Sequence, residues 1–332
     1  MIITLKNNFK EEELKSLKEY FESISIKMKE VNQNTYLLEG SVHKLDEQSV
    51  KRLPAISKVV RITAPYKLAS RENHKDKTVI RIGDVIIGGD EPVIIAGACS
   101  VESLEQIDSI AKGCKESGAH LLRGGAFKPR TSPYFFQGLG LDGLKLLKDA
   151  GLKYQMPVVS EITSEDYIDD FVKYVDIIQV GARNMQNFEL LKKLGKLNKP
   201  ILLKRSPFAT ISEFLLSAEY ILLEGNPNVI LCERGIRSFD NVTRYALDFA
   251  SIVALKNLTH LPVIVDPSHA AGDYHFVEGM FLGAIASGAD GVMIEVHNKP
   301  EVAYSDSYQA LKIDKLSSLI DKANKISKII TE

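Results

Sequence analysis

The ten residues Arg123-Gly124-Gly125-Ala126-Phe127-Lys128-Pro129-Arg130-Thr131-Ser132 set three cations close together, directly after the apolar run His120-Leu121-Leu122. That composition suits an anion site at the end of a buried strand. Arginine offers a planar fork that matches phosphate or carboxylate, lysine offers a compact charge that can also move a proton, and Thr131 and Ser132 add hydroxyl donors. Gly124 and Gly125 admit close backbone approach, and Pro129 fixes the chain between Lys128 and Arg130. A solvated basic loop is the plain alternative. The apolar flanks, Leu121-Leu122 before and Tyr134-Phe135-Phe136 after, argue that the segment folds inward.

The elements that must position these residues follow from the rest of the chain. From Pro92 onward, strand-like runs alternate with helical segments: 93–96, 120–122, 157–160, 176–180, 201–204, 229–232, 263–266 and 291–295. Eight buried parallel strands, each followed by a helix, predict an α/β fold of the (β/α)8 TIM barrel type. A doubly wound open sheet is the alternative, but no glycine-rich dinucleotide turn supports it. A barrel builds its site from the C-terminal ends of its strands, which singles out Cys99, Arg123, Glu161, Arg183, Lys204, Arg234, Asp266 with His269, and Glu295.

Two chemical sets emerge. Arg123, Lys128, Arg183, Lys204 and Arg234 are cations whose convergence requires a ligand with more than one negative charge, because clustered like charges repel otherwise. Cys99, His269, Glu295 and Asp306 offer a thiolate, an imidazole and two carboxylates, a set suited to a divalent manganese, iron, cobalt or zinc ion. Their spacing is no metal motif by itself; barrel geometry is what places the first, seventh and eighth strand ends side by side. Cys114 and Cys232 fall in an amphipathic helix and an apolar strand, where packing accounts for them. His43, His74, His120, His260, His275 and His297 show no partner pattern.

Residues 1–65 form a separate module of order βαββαβ, the ferredoxin-like pattern. Its elements are predicted at 2–6, 11–24, 25–31, 35–39, 45–53 and 58–63. A linker at 66–77, polar from Ser70 to Lys77, then leads to the barrel at 78–332, which opens with a hairpin across Gly83-Asp84. With 42 basic and 43 acidic residues the chain has no charge excess to draw nucleic acid or membrane, so its local basic clusters point to small anions. No apolar run approaches a membrane span and the first residues lack the layout of a signal peptide, so the cytoplasm is the expected location. Three cysteines cannot all pair, and a reducing compartment disfavours disulfides.

At these residues the chain resembles the 3-deoxy-D-arabino-heptulosonate 7-phosphate (DAHP) synthases of the type I beta class, which carry an N-terminal ferredoxin-like domain. The motifs are Ala96-Gly97-Ala98-Cys99-Ser100, Lys128-Pro129-Arg130-Thr131-Ser132, Gly181-Ala182-Arg183-Asn184, Leu203-Lys204-Arg205, Cys232-Glu233-Arg234-Gly235 and Asp266-Pro267-Ser268-His269. The resemblance implies a metal-dependent transferase that condenses phosphoenolpyruvate with erythrose 4-phosphate at the head of the shikimate pathway, towards chorismate and the aromatic amino acids. It implies Cys99, His269, Glu295 and Asp306 as metal ligands, with phosphoenolpyruvate held by Arg123, Lys128, Arg183, Lys204 and Arg234. Arg130 and Thr131 would take the sugar phosphate, Glu161 and Asp266 would also contact substrate, and Lys128 would deliver a proton, its pKa drawn toward neutrality by neighbouring cations. A homotetramer inhibited by tyrosine or phenylalanine through residues 1–65 is likewise implied. The chain has Ala98 and Ser206 where family members usually have proline and glycine. The enzyme rival is 3-deoxy-D-manno-octulosonate 8-phosphate synthase, which takes arabinose 5-phosphate, carries Ala-Asn-Arg-Thr in place of Lys128-Pro129-Arg130-Thr131 and lacks the small domain. A lysine Schiff-base aldolase would use Lys204 but leave the metal set unexplained. A non-catalytic sugar-phosphate sensor is the rival of another class.

Overall fold

A computed structural model describes residues 1–331. The first module contains β1 (Ile2–Leu5), α1 (Glu11–Ser23), β2 (Ile26–Asn32), β3 (Thr35–Gly40), α2 (Glu47–Lys51) and β4 (Ile56–Val60). Its antiparallel sheet has the order β2-β3-β1-β4. Alternation along the strands sorts the side chains into two faces. Ile3, Leu5, Tyr36 and Leu38 bury against Leu17 and Phe21 of α1 and Val50 of α2, whereas Ile2 and Leu37, paired across β1 and β3, join a cluster with Ile62, Tyr66 and Leu68 that is continuous with the barrel core. The last strand ends at Val60, short of the expected Thr63, because Thr63 donates its N–H and hydroxyl to Glu72 at 3.0 Å each, which turns the chain off the sheet.

The linker is docked, not loose. Glu219 is buried and accepts the backbone N–H groups of Lys67, Leu68 and Ala69 at 2.8, 2.7 and 3.0 Å. Arg71 and the Thr259 hydroxyl add bonds to the Thr259 and Ala69 carbonyls. Three N–H groups converging on one buried carboxylate are charge-assisted bonds, stronger than neutral ones. The clamped residues Lys67, Leu68 and Ala69 lie just before the polar stretch 70–77, and local composition does not reveal their anchor, a glutamate about 150 residues away.

The hairpin β5 (Ile80–Ile82) and β6 (Val85–Ile87) precedes the barrel strands β7 (Val93–Ser100), β8 (Leu121–Gly125), β9 (Val158–Ile162), β10 (Ile177–Val180), β11 (Ile201–Lys204), β12 (Val229–Glu233), β13 (Val263–Val265) and β14 (Gly291–His297). All eight barrel strands are parallel, and pairing of β14 with both β13 and β7 closes the ring. The helices between and after them are α3 (Leu104–Glu116), α4 (Leu141–Lys153), α5 (Ile168–Tyr174), α6 (Phe188–Gly195), α7 (Ile211–Leu223), α8 (Phe249–Leu258), α9 (Pro267–Ala271), α10 (Tyr274–Ala286) and α11 (Leu316–Thr331). Ile80 and Ile87 of the hairpin pack on Val93, Leu121, Ile177 and Ile264, near the strand starts. The hairpin therefore stoppers the N-terminal mouth and leaves the C-terminal mouth as the open end. Among the described residues, no helix is long and apolar enough to cross a membrane.

Candidate active site

Every residue singled out on the barrel sits at its C-terminal end. Cys99, Arg123, Glu161, Lys204 and Glu295 are on β7, β8, β9, β11 and β14; Arg183 is in the turn after β10; Arg234 directly follows β12. Asp266 caps α9, accepting the His269 N–H at 3.1 Å, so the helix start itself aims the imidazole. Lys128 to Thr131 occupy the loop after β8, and Asp306 lies in the loop after β14. The pairing of β7 with β8 slips by a residue between Gly97 and Ser100, a bulge that frees the Ala98-Cys99 segment from the ladder.

Cys99, His269, Glu295 and Asp306 converge, with one donor atom from each lying within 4.8 Å of the others. Cys99 Sγ is 3.1 Å from Asp306 Oδ2, and His269 Nε2 is 3.5 Å from Glu295 Oε1. His269 Nδ1 is 2.8 Å from Asp266 Oδ2, without the alignment of a hydrogen bond, so the ring turns Nε2 to the cluster and Nδ1 to a carboxylate. A histidine held from behind by a carboxylate is the usual arrangement of a metal-binding imidazole. Burial, with Glu295 adding to it, pushes the Cys99 thiol up to about 12 despite Lys128 nearby. Burial works against ionisation of Glu295 too, but His269 and Arg123 outweigh it and hold this carboxyl far below the usual range. A thiol, an imidazole and two carboxylates within this radius fit a divalent ion of borderline softness, which would supply the charge that lets the thiol ionise.

Beside the cluster opens a cavity of about 590 Å³ walled by Lys128, Arg130, Arg183 and Arg234, with Thr131 and Glu161 also on its surface. Arg234 is buried, stacks 4.2 Å over the Tyr245 ring and leaves its Nη1 without a partner among the described residues. A buried guanidinium with a donor free to bond, beside a cavity, suits an anion. Arg123 and Lys204 lie deeper, buried in ion pairs with Glu295 and Asp266 respectively. Glu161 accepts from Gln179 at 3.0 Å and fills the space over Gly181, where an added Cβ would come within 1.9 Å of its Oε1.

Lys128 Nζ donates to Cys99 O and Cys99 Sγ, each at 3.0 Å. Gly125 makes this possible, because a Cβ there would meet Cys99 O at 2.5 Å and the Lys128 chain at 2.9 Å. Neighbouring cations do not draw the pKa of Lys128 toward neutrality. Burial does lower it, but the anionic forms of Cys99 and Glu295 raise it more, and the net shift is upward. Asp266 was expected to contact substrate; it is fully buried, with its oxygens engaged by Lys204 and His269, and lies behind the residues that line the cavity. Ser206, where glycine was the usual residue, keeps a negative φ and needs no glycine.

Several participants carried no readable signal. Arg244 lines the cavity and reaches Asp306 at 3.7 Å, and Gln309 donates to Glu295 Oε2 at 2.5 Å. Tyr245 and Gln186 also line the cavity. A cation in the loop after β12 was the one available hint for Arg244. His297, without a partner pattern in sequence, bonds Gln106 at 3.2 Å and faces Glu102 at 3.6 Å, while Glu102 accepts from Ser100 and from the Tyr304 N–H. Arg205 points away from the cavity into a buried cluster with Glu233, Asp248 and Ser251.

The model of the DAHP synthetase I family matches residues 67–332. A phospho-2-dehydro-3-deoxyheptonate aldolase of Thermotoga maritima is 45% identical over 330 residues, 98% of this chain and 98% of its own. A 2-dehydro-3-deoxyphosphooctonate aldolase of Geobacter sulfurreducens is 30% identical over 271 residues, 76% of this chain and 98% of its own. The crystal structure of the Thermotoga maritima DAHP synthase is similar with a TM-score of 0.80 at 44% identity, covering 99% of this chain and 97% of that one. A truncated form of 3-deoxy-D-arabino-heptulosonate 7-phosphate synthase from the same organism covers 80% of this chain and 97% of its own, with a TM-score of 0.75 and 46% identity.

Proposed function

Because the chain belongs to the DAHP synthetase I family and is an enzyme of its aldolase/synthase type, we propose that it condenses phosphoenolpyruvate with erythrose 4-phosphate in a metal-dependent reaction. The products are 3-deoxy-D-arabino-heptulosonate 7-phosphate and phosphate. The observation that carries this reading is the four-donor cluster of Cys99, His269, Glu295 and Asp306 set against a cavity whose walls are cationic.

Cys99, His269, Glu295 and Asp306 would hold the metal, which when bound supplies Lewis-acid polarisation of the sugar aldehyde. Arg234, with its idle Nη1, and Arg183 hold phosphoenolpyruvate from the cavity side, and Arg123 and Lys204 supply positive charge from beneath. Arg130 and Thr131, further out on the loop after β8, take the sugar phosphate, and Glu161 completes the floor between the two ligands. C3 of phosphoenolpyruvate then attacks the aldehyde carbon, water adds at C2, and phosphate leaves with C–O cleavage. Lys128 Nζ stands between the cluster and the cavity, and its raised pKa keeps it protonated, so it donates the proton that the former aldehyde oxygen needs. Asp266 orients Lys204 and His269.

Residues 1–65 are read as a regulatory domain for tyrosine or phenylalanine, in a cytoplasmic homotetramer. Pro129 stiffens the loop between Lys128 and Arg130, which favours the four-carbon sugar phosphate over arabinose 5-phosphate. Metal-stripped and reloaded protein, supplied with phosphoenolpyruvate and either sugar phosphate, tests both parts. Turnover should appear only after a divalent metal is restored and should prefer erythrose 4-phosphate. Full turnover by stripped protein removes the metal, and preference for arabinose 5-phosphate assigns the chain to the rival reaction.

A further inference from the structure

Asp306 is the cluster member least secured by regular structure. Cys99 and Glu295 are on strands and His269 is on a capped helix, but Asp306 sits in the irregular loop after β14 with its backbone in the left-handed region, φ +48. A non-glycine residue there is strained by about 1–2 kcal/mol, although aspartate tolerates it better than most. Ligand geometry supported from a loop is less precise than from a strand unless neighbouring groups fix it.

Two groups do so, Gln309 from the C-terminal side and Arg244 from the loop after β12. Gln309, buried three residues on, donates its amide to Glu295 Oε2 at 2.5 Å, and its Oε1 accepts from Arg244 Nη1 at 3.2 Å. Arg244 Nη1 also lies 3.7 Å from Asp306 Oδ1. On the other side Ser305 is tied to Ser100 of β7 at 2.7 Å. The chain Glu295, Gln309, Arg244, Asp306 is thus a bracket that spans both carboxylates of the cluster, built on β14, the loop that follows it and the distant loop after β12. Glu295 Oε1 is engaged by Arg123, so the Gln309 amide is what holds its second oxygen.

We propose that Gln309 and Arg244 are positioning residues that set the distance and orientation between Glu295 and Asp306 and thereby the affinity of the site for a divalent metal. This rests on the metal-centre reading above. Loss of outer partners of this kind commonly weakens metal binding 10–100-fold.

Metal-stripped full-length protein is titrated with Co²⁺, following the thiolate-to-cobalt absorption, for wild type, Gln309→Leu, Arg244→Gln and the double variant; the thermal midpoint of each metal-free protein is recorded alongside. Each single variant should bind Co²⁺ roughly 10–100-fold more weakly while its metal-free midpoint stays near wild type, and the double variant should be little weaker than either single one, because both residues act through one bracket. Co²⁺ binding as tight as wild type in both single variants overturns the bracket alone. Should Gln309→Leu fail to fold, Arg244→Gln, whose side chain is partly exposed, decides by the same criterion. If wild type develops no cobalt absorption, the metal centre itself is lost and the bracket with it.

Discussion

Lys128 Nζ lies 3.0 Å from Cys99 Sγ, so the residue proposed for proton transfer touches a member of the proposed metal-ligand set. The contact joins the loop after β8 to the end of β7, and Gly125 leaves the space for it. The lysine therefore has a fixed place at the boundary between the four donors and the cationic cavity.

Removing this amine should slow the chemical step without dismantling the site. Lys128→Met is expected to lower kcat by about 10²–10⁴-fold, the range typical of a lost general acid, while Co²⁺ still binds and the fold persists. Steady-state kinetics with metal analysis checks this. A kcat within a few-fold of wild type would remove Lys128 from the proton-transfer role.

The strap between module and barrel predicts a pH-dependent stability. The ring of His260 is buried, with Nε2 at 2.8 Å from the Leu68 carbonyl and Nδ1 at 2.6 Å from the Thr78 hydroxyl. Burial pushes its pKa down to about 4; the Leu68 carbonyl opposes this, and His74 and Arg71 add to it. In the unfolded chain the same histidine takes up a proton near its ordinary value of about 6.5. Between those two pH values the unfolded state holds more protons, so the contribution of neutral His260 is fully present above pH ~6.5 and fades as pH falls toward ~4, by about 3 kcal/mol in all. Denaturant melts of wild type and His260→Gln across this window should show their stability difference shrinking as the pH drops. Parallel curves would mean that His260 does not titrate with unfolding.

Cutting the chain after Pro65 should leave catalysis largely intact. The Glu219 clamp on Lys67, Leu68 and Ala69 and the His260 contact to Leu68 both lie on the barrel side of that cut. Loss of residues 1–65 should instead abolish inhibition by tyrosine or phenylalanine, a coupling of roughly 1–3 kcal/mol if the effector favours one arrangement of the domains. Comparing inhibition of the full-length and shortened enzymes reads this directly. Indifference of the full-length enzyme to both amino acids, or retained inhibition in the shortened one, would end the regulatory reading.

What the sequence determined by itself was local. Eight apolar runs of strand length, spaced by helical segments, specify parallel strands buried on both faces, and their number, with no glycine-rich dinucleotide turn, favours a barrel over an open sheet. Once the barrel is given, polar residues at the run ends, from Cys99 to Glu295, must share one mouth. Only tertiary structure decided who faces whom. Arg123 meets Glu295 across 172 positions, and Lys204 meets Asp266 across 62, because ring closure and strand register choose angular neighbours that no local periodicity encodes. The same holds for Gln309 and Arg244, whose residue types are ordinary and whose roles exist only where the loops after β12 and β14 meet. It holds equally for the linker. Its composition reads as solvated chain, and a single buried carboxylate on α7, accepting three of its N–H groups, makes it part of the barrel wall.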